Sequence, residues 1–176
     1  MEQIMPPTLV EVTITIKRRL SHNERVMAGG WGPLQSGGRL ERFPIAVDSR
    51  DDETRRIYLA HFNDQDVSSD NVVNYALETG YALGEHEDLL ACVADHPELR
   101  ALPIAQLGTT LPTVDEDPKD LWSRVPNDRL VTANSGDIYV DGVRRLEPTY
   151  WFGEQRMSLN WMDSGWIRSC RFILKK

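Results

Sequence analysis

The sequence predicts a single α+β domain, built from an antiparallel β-sheet with about two central helices and a C-terminal aromatic β-hairpin. The first observation is the strict alternation of apolar and polar residues from Val10 to Lys17, which is the period of a half-buried strand. Helical patterns follow in the middle of the chain, and strand-like alternation returns in the last 40 residues. The 176 residues, 40% of them hydrophobic, suffice for one core, so one domain over 1–176 is expected.

The composition predicts a soluble, cytoplasmic protein without a membrane partner. No apolar run approaches the roughly 20 residues of a membrane-spanning helix. The segment Met1–Pro7 lacks the basic start and apolar stretch of a signal peptide. Cys92 and Cys170 fall in a predicted helix and a predicted strand, and a cytoplasmic setting keeps thiols reduced, so both are expected to be free.

The net charge of -7 is concentrated in the middle of the chain. Residues 51–128 carry 17 acidic and 5 basic residues, which gives -12, whereas 1–50 sum to +2 and 129–176 to +3. This distribution argues against nucleic-acid binding, because phosphate contacts need clustered Lys and Arg. The acidic stretch has two interpretations: a solvated helical face, or the surface that an acidic inhibitor of phage or mobile-element origin presents to a basic partner.

Loops and short strands are predicted between the first strand and the helices. The glycine-rich segment 29–38 indicates a loop. One strand is predicted from Leu40 to Val47, with Pro44 marking an edge or bulge, and another from Arg56 to Phe62.

Two helices are predicted in the acidic middle. Ser68 to Asp70 supply N-cap oxygens for the first, and Gly80 is expected near its end. The second starts at Glu85, with carboxylates in its first turn that suit the positive end of the helix macrodipole, and Pro97 stops it.

The remainder is predicted to be a long connection followed by hairpins. Residues 109–136 contain few apolar residues and are predicted to form a loop, which is either functional or an insertion. Asp141-Gly142 is a two-residue hairpin signal. A terminal hairpin is predicted around the turn at Asp163–Gly165. Its inward residues are expected to be Leu159, Trp161, Trp166, Cys170 and Phe172.

Several hydrophobic motifs carry a resemblance to a known group of proteins. The ending combines Leu159-Asn160-Trp161, Trp166 and the run Cys170-Arg171-Phe172-Ile173-Leu174. Earlier segments fit the same pattern, namely 17–21, 61–63, 97–99 and 103–108. The chain resembles a widespread family of uncharacterised bacterial proteins that end in such a hairpin. The resemblance implies one co-evolved domain and supplies no activity.

The sequence contains none of the common motifs with a specific catalytic mechanism, and no cofactor or metal site is predicted. Cys92 and His96 are four residues apart, which suits a thiolate and imidazole pair or half of a metal site, but a packed thiol and a solvent-exposed or capping imidazole are favoured. His61 is read as a core residue or as the base of a small hydrolase or transferase with Asp64 or Asp66. Asp115-Glu116-Asp117 is read as a solvated charge run.

The C-terminal aromatic and arginine residues are the most unusual feature, and they predict a non-enzymatic binding or protein-interaction domain. Aromatic side chains beside arginine are typical of recognition surfaces, and the loop 109–136 is expected to contribute. The predicted partner-binding residues are Tyr150, Trp151, Arg156, Arg168 and Arg171. The partner, a protein or a small ligand, is not specified by the sequence.

Overall fold

The computed structural model describes residues 4–31, 43–63, 65–112, 129–135, 150–152, 155–161, 165–166 and 168–176. These residues form an α+β fold in which a mixed sheet lies between helices, so the predicted fold class is confirmed.

The strands vary from two residues to nine, and the helices are short. The strands are β1 Thr8–Ile16, β2 Glu53–His61, β3 Val67–Ser68, β4 Ala82–Leu83, β5 Ile104–Ala105, β6 Leu111–Pro112, β7 Arg129–Ser135, β8 Tyr150–Phe152, β9 Gln155–Trp161, β10 Gly165–Trp166 and β11 Arg171–Lys175. The helices are α1 His22–Ala28, α2 Ser69–Thr79 and α3 His86–Asp95, and a 3-10 helix spans Pro97–Leu99.

The main sheet has the strand order β1-β2-β11-β5-β7-β9-β8, with β4 added to β11 and β6 to β7. Its described pairs are antiparallel except for β11 with β5, which are parallel. A separate two-stranded sheet joins β10 to β3.

Local sequence signals fix the helix ends. Ser21 caps α1 and Ser68 caps α2, each through a reciprocal capping box with the residue three positions later. Gly80 ends α2 with a φ of 74°, a left-handed conformation that glycine adopts without strain. Glu85 is the N-cap of α3 and His96 its C-cap, so the helix starts after Glu85 and stops before Pro97, as predicted.

The central strands are covered on both faces. On one face, Ile14 and Ile57 pack with Leu90 of α3 and Val26 of α1. On the other, Phe172 packs in a cluster with Ala60, Phe62 and Val72. Alternate residues of β11 enter the two clusters, which explains why Phe172, Ile173 and Leu174 are all buried.

The C-terminal hairpin is formed by different strands from those expected. β8 and β9 pair as an antiparallel hairpin that carries Tyr150 and Trp151. The strands on either side of 163–165 do not pair with each other in the described sheet, because β9 pairs with β7 and β11 pairs with β2, β4 and β5. Burial of both faces of β11 places it inside the sheet, so the predicted pairing across this turn is wrong.

Three other expectations are also corrected. Residues 43–47 of the strand predicted at 40–47 are not in a strand. The region after Arg18 contains helix α1, which was not predicted. The connection predicted at 109–136 contributes β6 and β7, and β7 lies between β5 and β9. The turn at Asp141-Gly142 and the acidic run at 115–117 lie outside the described residues.

Among the described residues, no helix is long and apolar enough to cross a membrane. Both cysteines are free and buried, as predicted, and they belong to different core clusters.

Candidate functional site

Two of the five predicted partner-binding residues lie at one corner of the molecule, which we call the Arg168 corner. Arg168 donates two hydrogen bonds to the carboxylate of Asp66, both 3.0 Å long, and both side chains are largely exposed. Arg171 pairs across the sheet with His61. The guanidinium of Arg168 holds the pKa of Asp66 below its ordinary value. For Tyr150, Trp151 and Arg156 the backbone alone is described.

His61 contributes to the structure of this corner. Its Nε2 lies 3.1 Å from the backbone oxygen of Arg168, where it serves as the donor. The imidazole is half-buried at the end of β2. The carboxylate of Asp66 is engaged by Arg168, and Asp64 lies outside the described residues. A catalytic role for His61 therefore stays a prediction.

A groove of about 260 Å³ lies between the N-terminal segment and α2, and we call it the α2 groove. Its apolar lining includes Ile4, Phe62 and Tyr75. The rings of Phe62 and Tyr75 meet edge to face, with centroids 5.7 Å apart. This packing gives the groove a fixed aromatic floor, which is typical of binding sites.

The polar lining of the α2 groove comes from one face of α2. Asn71, Asn74 and Glu78 are spaced three and four residues apart and line the groove together. The Asn71 oxygen accepts hydrogen bonds from the backbone and hydroxyl of Ser68, so its amide nitrogen remains available as a donor. Within the described part of the chain, Asn74 and Glu78 make no side-chain hydrogen bond and no ion pair.

The wall opposite α2 is held by two polar side chains. Gln65 accepts a hydrogen bond of 3.0 Å from the backbone N–H of Met5, and Asn63 donates one of 2.9 Å to the backbone oxygen of Pro6. Asn63 has a φ of 53°, the left-handed region that asparagine tolerates better than most residues. Because 62–66 also carries Asp66, the α2 groove and the Arg168 corner share one segment.

A buried charge cluster lies on the opposite face of the sheet, under α1 and α3. Arg18, Arg25 and Arg55 all contact the carboxylate of Glu87, at N to O distances of 3.3, 3.4 and 2.9 Å. Arg55 also contacts Asp88 at 2.9 Å. Glu53 accepts from Arg18 and Arg55, which lower its pKa to about 2. The cluster joins the turn after β1 to β2, α1 and α3.

A histidine pair adjoins the buried charge cluster. The Nε2 atoms of His22 and His86 are 2.8 Å apart, and Nδ1 of His86 lies 2.9 Å from Oγ1 of Thr132. Burial lowers the pKa of His22 to about 4 and that of His86 well below its ordinary range, and the charge of Arg25 adds to both shifts. No group of three or more metal-ligating side chains occurs among the residues that the structure describes.

Cys92 and His96 do not form a reactive pair. Burial raises the pKa of Cys92 to about 12, so its thiol is protonated at neutral pH. His96 caps α3, and its Nε2 lies 2.7 Å from the backbone oxygen of Thr13. The thiol of Cys92 is therefore packed in the core and the imidazole of His96 is at the helix cap, as predicted.

Ion pairs neutralise much of the acidic middle. Asp51 and Asp52 pair with Arg19 and Lys17, and Asp88 also contacts Lys175. In contrast, Asp70 and Glu78 of α2 form no ion pair within the described residues. The α2 sequence contains no basic residue. Fewer unpaired carboxylates are therefore exposed in this region than its charge count suggests.

Sequence reasoning missed the polar lining of the α2 groove and the buried charge cluster. The lining had a signal, because Asn71, Asn74 and Glu78 follow helical spacing on a helix that was predicted. The buried charge cluster had no such sequence signal, because arginine is usually exposed and nothing in the sequence distinguishes Arg18, Arg25 and Arg55 from surface residues.

Comparisons of the chain with protein-family models, with curated proteins and with solved structures gave no match.

Proposed function

We propose that this chain is a non-enzymatic protein-interaction domain whose α2 groove receives a polypeptide segment of its partner. The observation that carries the proposal is the groove of about 260 Å³, in which an apolar aromatic floor lies beside unengaged amide and carboxylate groups. Concave apolar surface with a few polar groups that fix orientation is the usual form of a binding site.

The lining defines the chemistry of the segment. The floor of Phe62 and Tyr75 suits an apolar side chain. The amides of Asn71 and Asn74 offer donors and acceptors to a peptide backbone, and Glu78 suits a Lys or Arg of the partner. The occupant that fits is an apolar residue followed by a basic one.

The predicted C-terminal surface remains part of the proposal. Arg168 is exposed and held in place by Asp66, so its positive charge is presented at the surface in a defined position. The contributions of Tyr150, Trp151 and Arg156 stay predictions.

An acidic inhibitor is the second candidate function. Asp70 and Glu78 on a helix without basic residues favour it, since they present negative charge to a basic partner. This candidate uses the same surface of α2. It predicts that affinity for the partner falls more steeply with salt concentration than in the main proposal, because salt screens exposed charges.

Site-specific photo-cross-linking in the host cell tests the main proposal. A photoreactive amino acid at Asn74, on the α2 groove, is expected to give a discrete adduct, whereas the same probe at the exposed Val47 is not. The partner, identified from the adduct and purified, is expected to bind the parent protein and to bind Glu78→Lys at least about tenfold more weakly, equivalent to about 1.4 kcal/mol. Equal adducts at both positions, or unchanged affinity of Glu78→Lys, would contradict it.

A further inference from the structure

Strand β1 is the end strand of the described sheet and is paired on one side only. Its nine residues pair without interruption with β2, from Thr8 opposite His61 to Ile16 opposite Glu53. Because the register contains no bulge, the backbone groups of alternate residues point toward β2 and away from it along the whole strand.

Two side chains at the end of α3 show which backbone groups of β1 point away from β2. Oδ2 of Asp95 accepts a hydrogen bond of 2.6 Å from the backbone N–H of Thr15, and Nε2 of His96 lies 2.7 Å from the backbone oxygen of Thr13. Both bonds are on the side away from β2. The same alternation directs the N–H and C=O groups of Leu9 and Glu11 outward.

The end of α3 therefore covers one half of this edge and leaves the other half open. Asp95 and His96 occupy outward groups of Thr15 and Thr13, which blocks strand addition there. Within the described residues, the outward groups of Leu9 and Glu11 and the N–H of Thr13 form no hydrogen bond. Val10, between them, is 54% exposed.

We infer that Leu9–Thr13 of β1 accept an extended strand of a partner protein that places a basic side chain opposite Glu11. Main-chain hydrogen bonds to the open groups supply the attachment, and side chains of alternate residues supply the selectivity. Glu11 is exposed, and its carboxylate forms no ion pair within the described part of the chain. A cross-strand pair of opposite charge stabilises such an addition, whereas like charges oppose it.

A second copy of the chain fits this edge less well than a basic strand. The two-fold pairing that uses every open group places Glu11 opposite Glu11 of the other copy, so two carboxylates face each other. The same pairing needs the backbone oxygen of Thr13 as an acceptor for the N–H of Leu9, and His96 already binds that oxygen. The geometry thus favours a heterologous strand.

Synthetic strands serve as probes. A capped peptide of alternating Thr and Val with a central Lys is titrated into the labelled protein, beside matched peptides with a central Glu or with N-methylated amides along one edge. The Lys peptide is expected to shift the amide resonances of Leu9, Glu11 and Thr13 and to slow their hydrogen exchange. It should bind about threefold to tenfold more tightly than the Glu peptide. The N-methylated peptide should not bind.

Charge reversal completes the test. Glu11→Lys is expected to reverse the preference between the two peptides, whereas Asp51→Lys, at a fully exposed carboxylate just before β2, should leave it unchanged. Absence of binding by the Lys peptide, shifts that avoid β1, or equal affinity for both peptides would each overturn the inference. Slowed exchange of Leu9 and Glu11 in the free protein, together with a dimer in sedimentation, would identify a second copy as the occupant and overturn it too.

Discussion

His22 and His86 are joined through their Nε2 atoms at 2.8 Å, an arrangement that requires one of the two nitrogens to carry a proton and the other to accept it. His86 is completely buried, and its ring also lies 5.1 Å from that of Phe43. The groups that face the pair include Arg25, whose positive charge disfavours a second proton. The pair is therefore neutral at pH 7 and links α1 to α3.

Acidification is expected to destabilise the protein because of this pair. The folded-state pKa of His22, about 4, lies below its unfolded value near 6.5, so the unfolded chain binds protons first as the pH falls. The stability that neutral His22 and His86 provide is present above pH 6.5 and is lost progressively as the pH falls toward 4. Urea unfolding between pH 7 and 4.5 should show a falling midpoint, and His22→Gln should flatten that dependence.

His96 provides a control of opposite sign. Its hydrogen bond to the oxygen of Thr13 raises its pKa above the ordinary value, with Glu98 contributing. Its stabilisation is complete below pH 6.5 and is lost as the pH rises through the folded-state pKa. His96→Gln should therefore make the acid loss steeper. An equal effect of the two substitutions would show that the histidine pair is not responsible.

Removing the charge of Glu87 should be among the most damaging single changes in the described part of the chain. Its side chain is 9% exposed and contacts Arg18, Arg25 and Arg55. Glu87→Ala leaves buried guanidinium groups without their shared carboxylate, which typically costs about 3–5 kcal/mol. Denaturant unfolding measures the loss. Glu78→Ala, at an exposed carboxylate of the α2 groove, is the control and should leave stability unchanged.

The thiols are expected to be inert in the folded protein. Burial raises the pKa of Cys92 to about 12 and that of Cys170 above its ordinary value, so neither is a thiolate at pH 7. A thiol reagent should modify both cysteines at the rate of unfolding under native conditions and rapidly in denaturant. Rapid reaction of either cysteine in the native protein would contradict the packing at that position.

The secondary structure could be predicted from sequence where local chemistry determines it. The alternation in β1, the capping oxygens of Ser68 and the carboxylates at Glu85 each act within a few residues of the element they specify. Helix α1 also had a local signal, since Ser21 and Glu24 form a capping box, but Gly29 and Gly30 after it indicate a loop.

Strand order could not be predicted in the same way. The turn residues at 163–165 favour a local hairpin, whereas β11 pairs with β2, more than 100 residues earlier. Such pairing depends on which strand is buried on both faces, and the run Phe172-Ile173-Leu174 was the available signal. The buried charge cluster is also decided by tertiary packing, because its arginines come from β2 and from segments beside β1.

Two glycines near the junction of β4, α3 and β11 should be sensitive to substitution for steric reasons. A Cβ at Gly84 would lie 2.2 Å from Cγ2 of Ile173, and a Cβ at Gly108 would lie 2.6 Å from the backbone oxygen of Gly84. That oxygen already accepts a hydrogen bond of 2.8 Å from the N–H of Gly108, and Gly84 donates one of 2.7 Å to Ile173. Backbone atoms held by these bonds have no room to move.

Gly84→Ala and Gly108→Ala are each expected to cost about 1–3 kcal/mol, as overpacking of a well-packed site does. Gly80→Asn is the matched control, because Gly80 has no atom within 4 Å of its Cβ position and asparagine accepts its left-handed conformation. Thermal and urea unfolding of the three variants separate crowding from backbone strain. If Gly84→Ala unfolds like the parent protein, Ile173 of β11 does not lie as close to Gly84 as the structure places it.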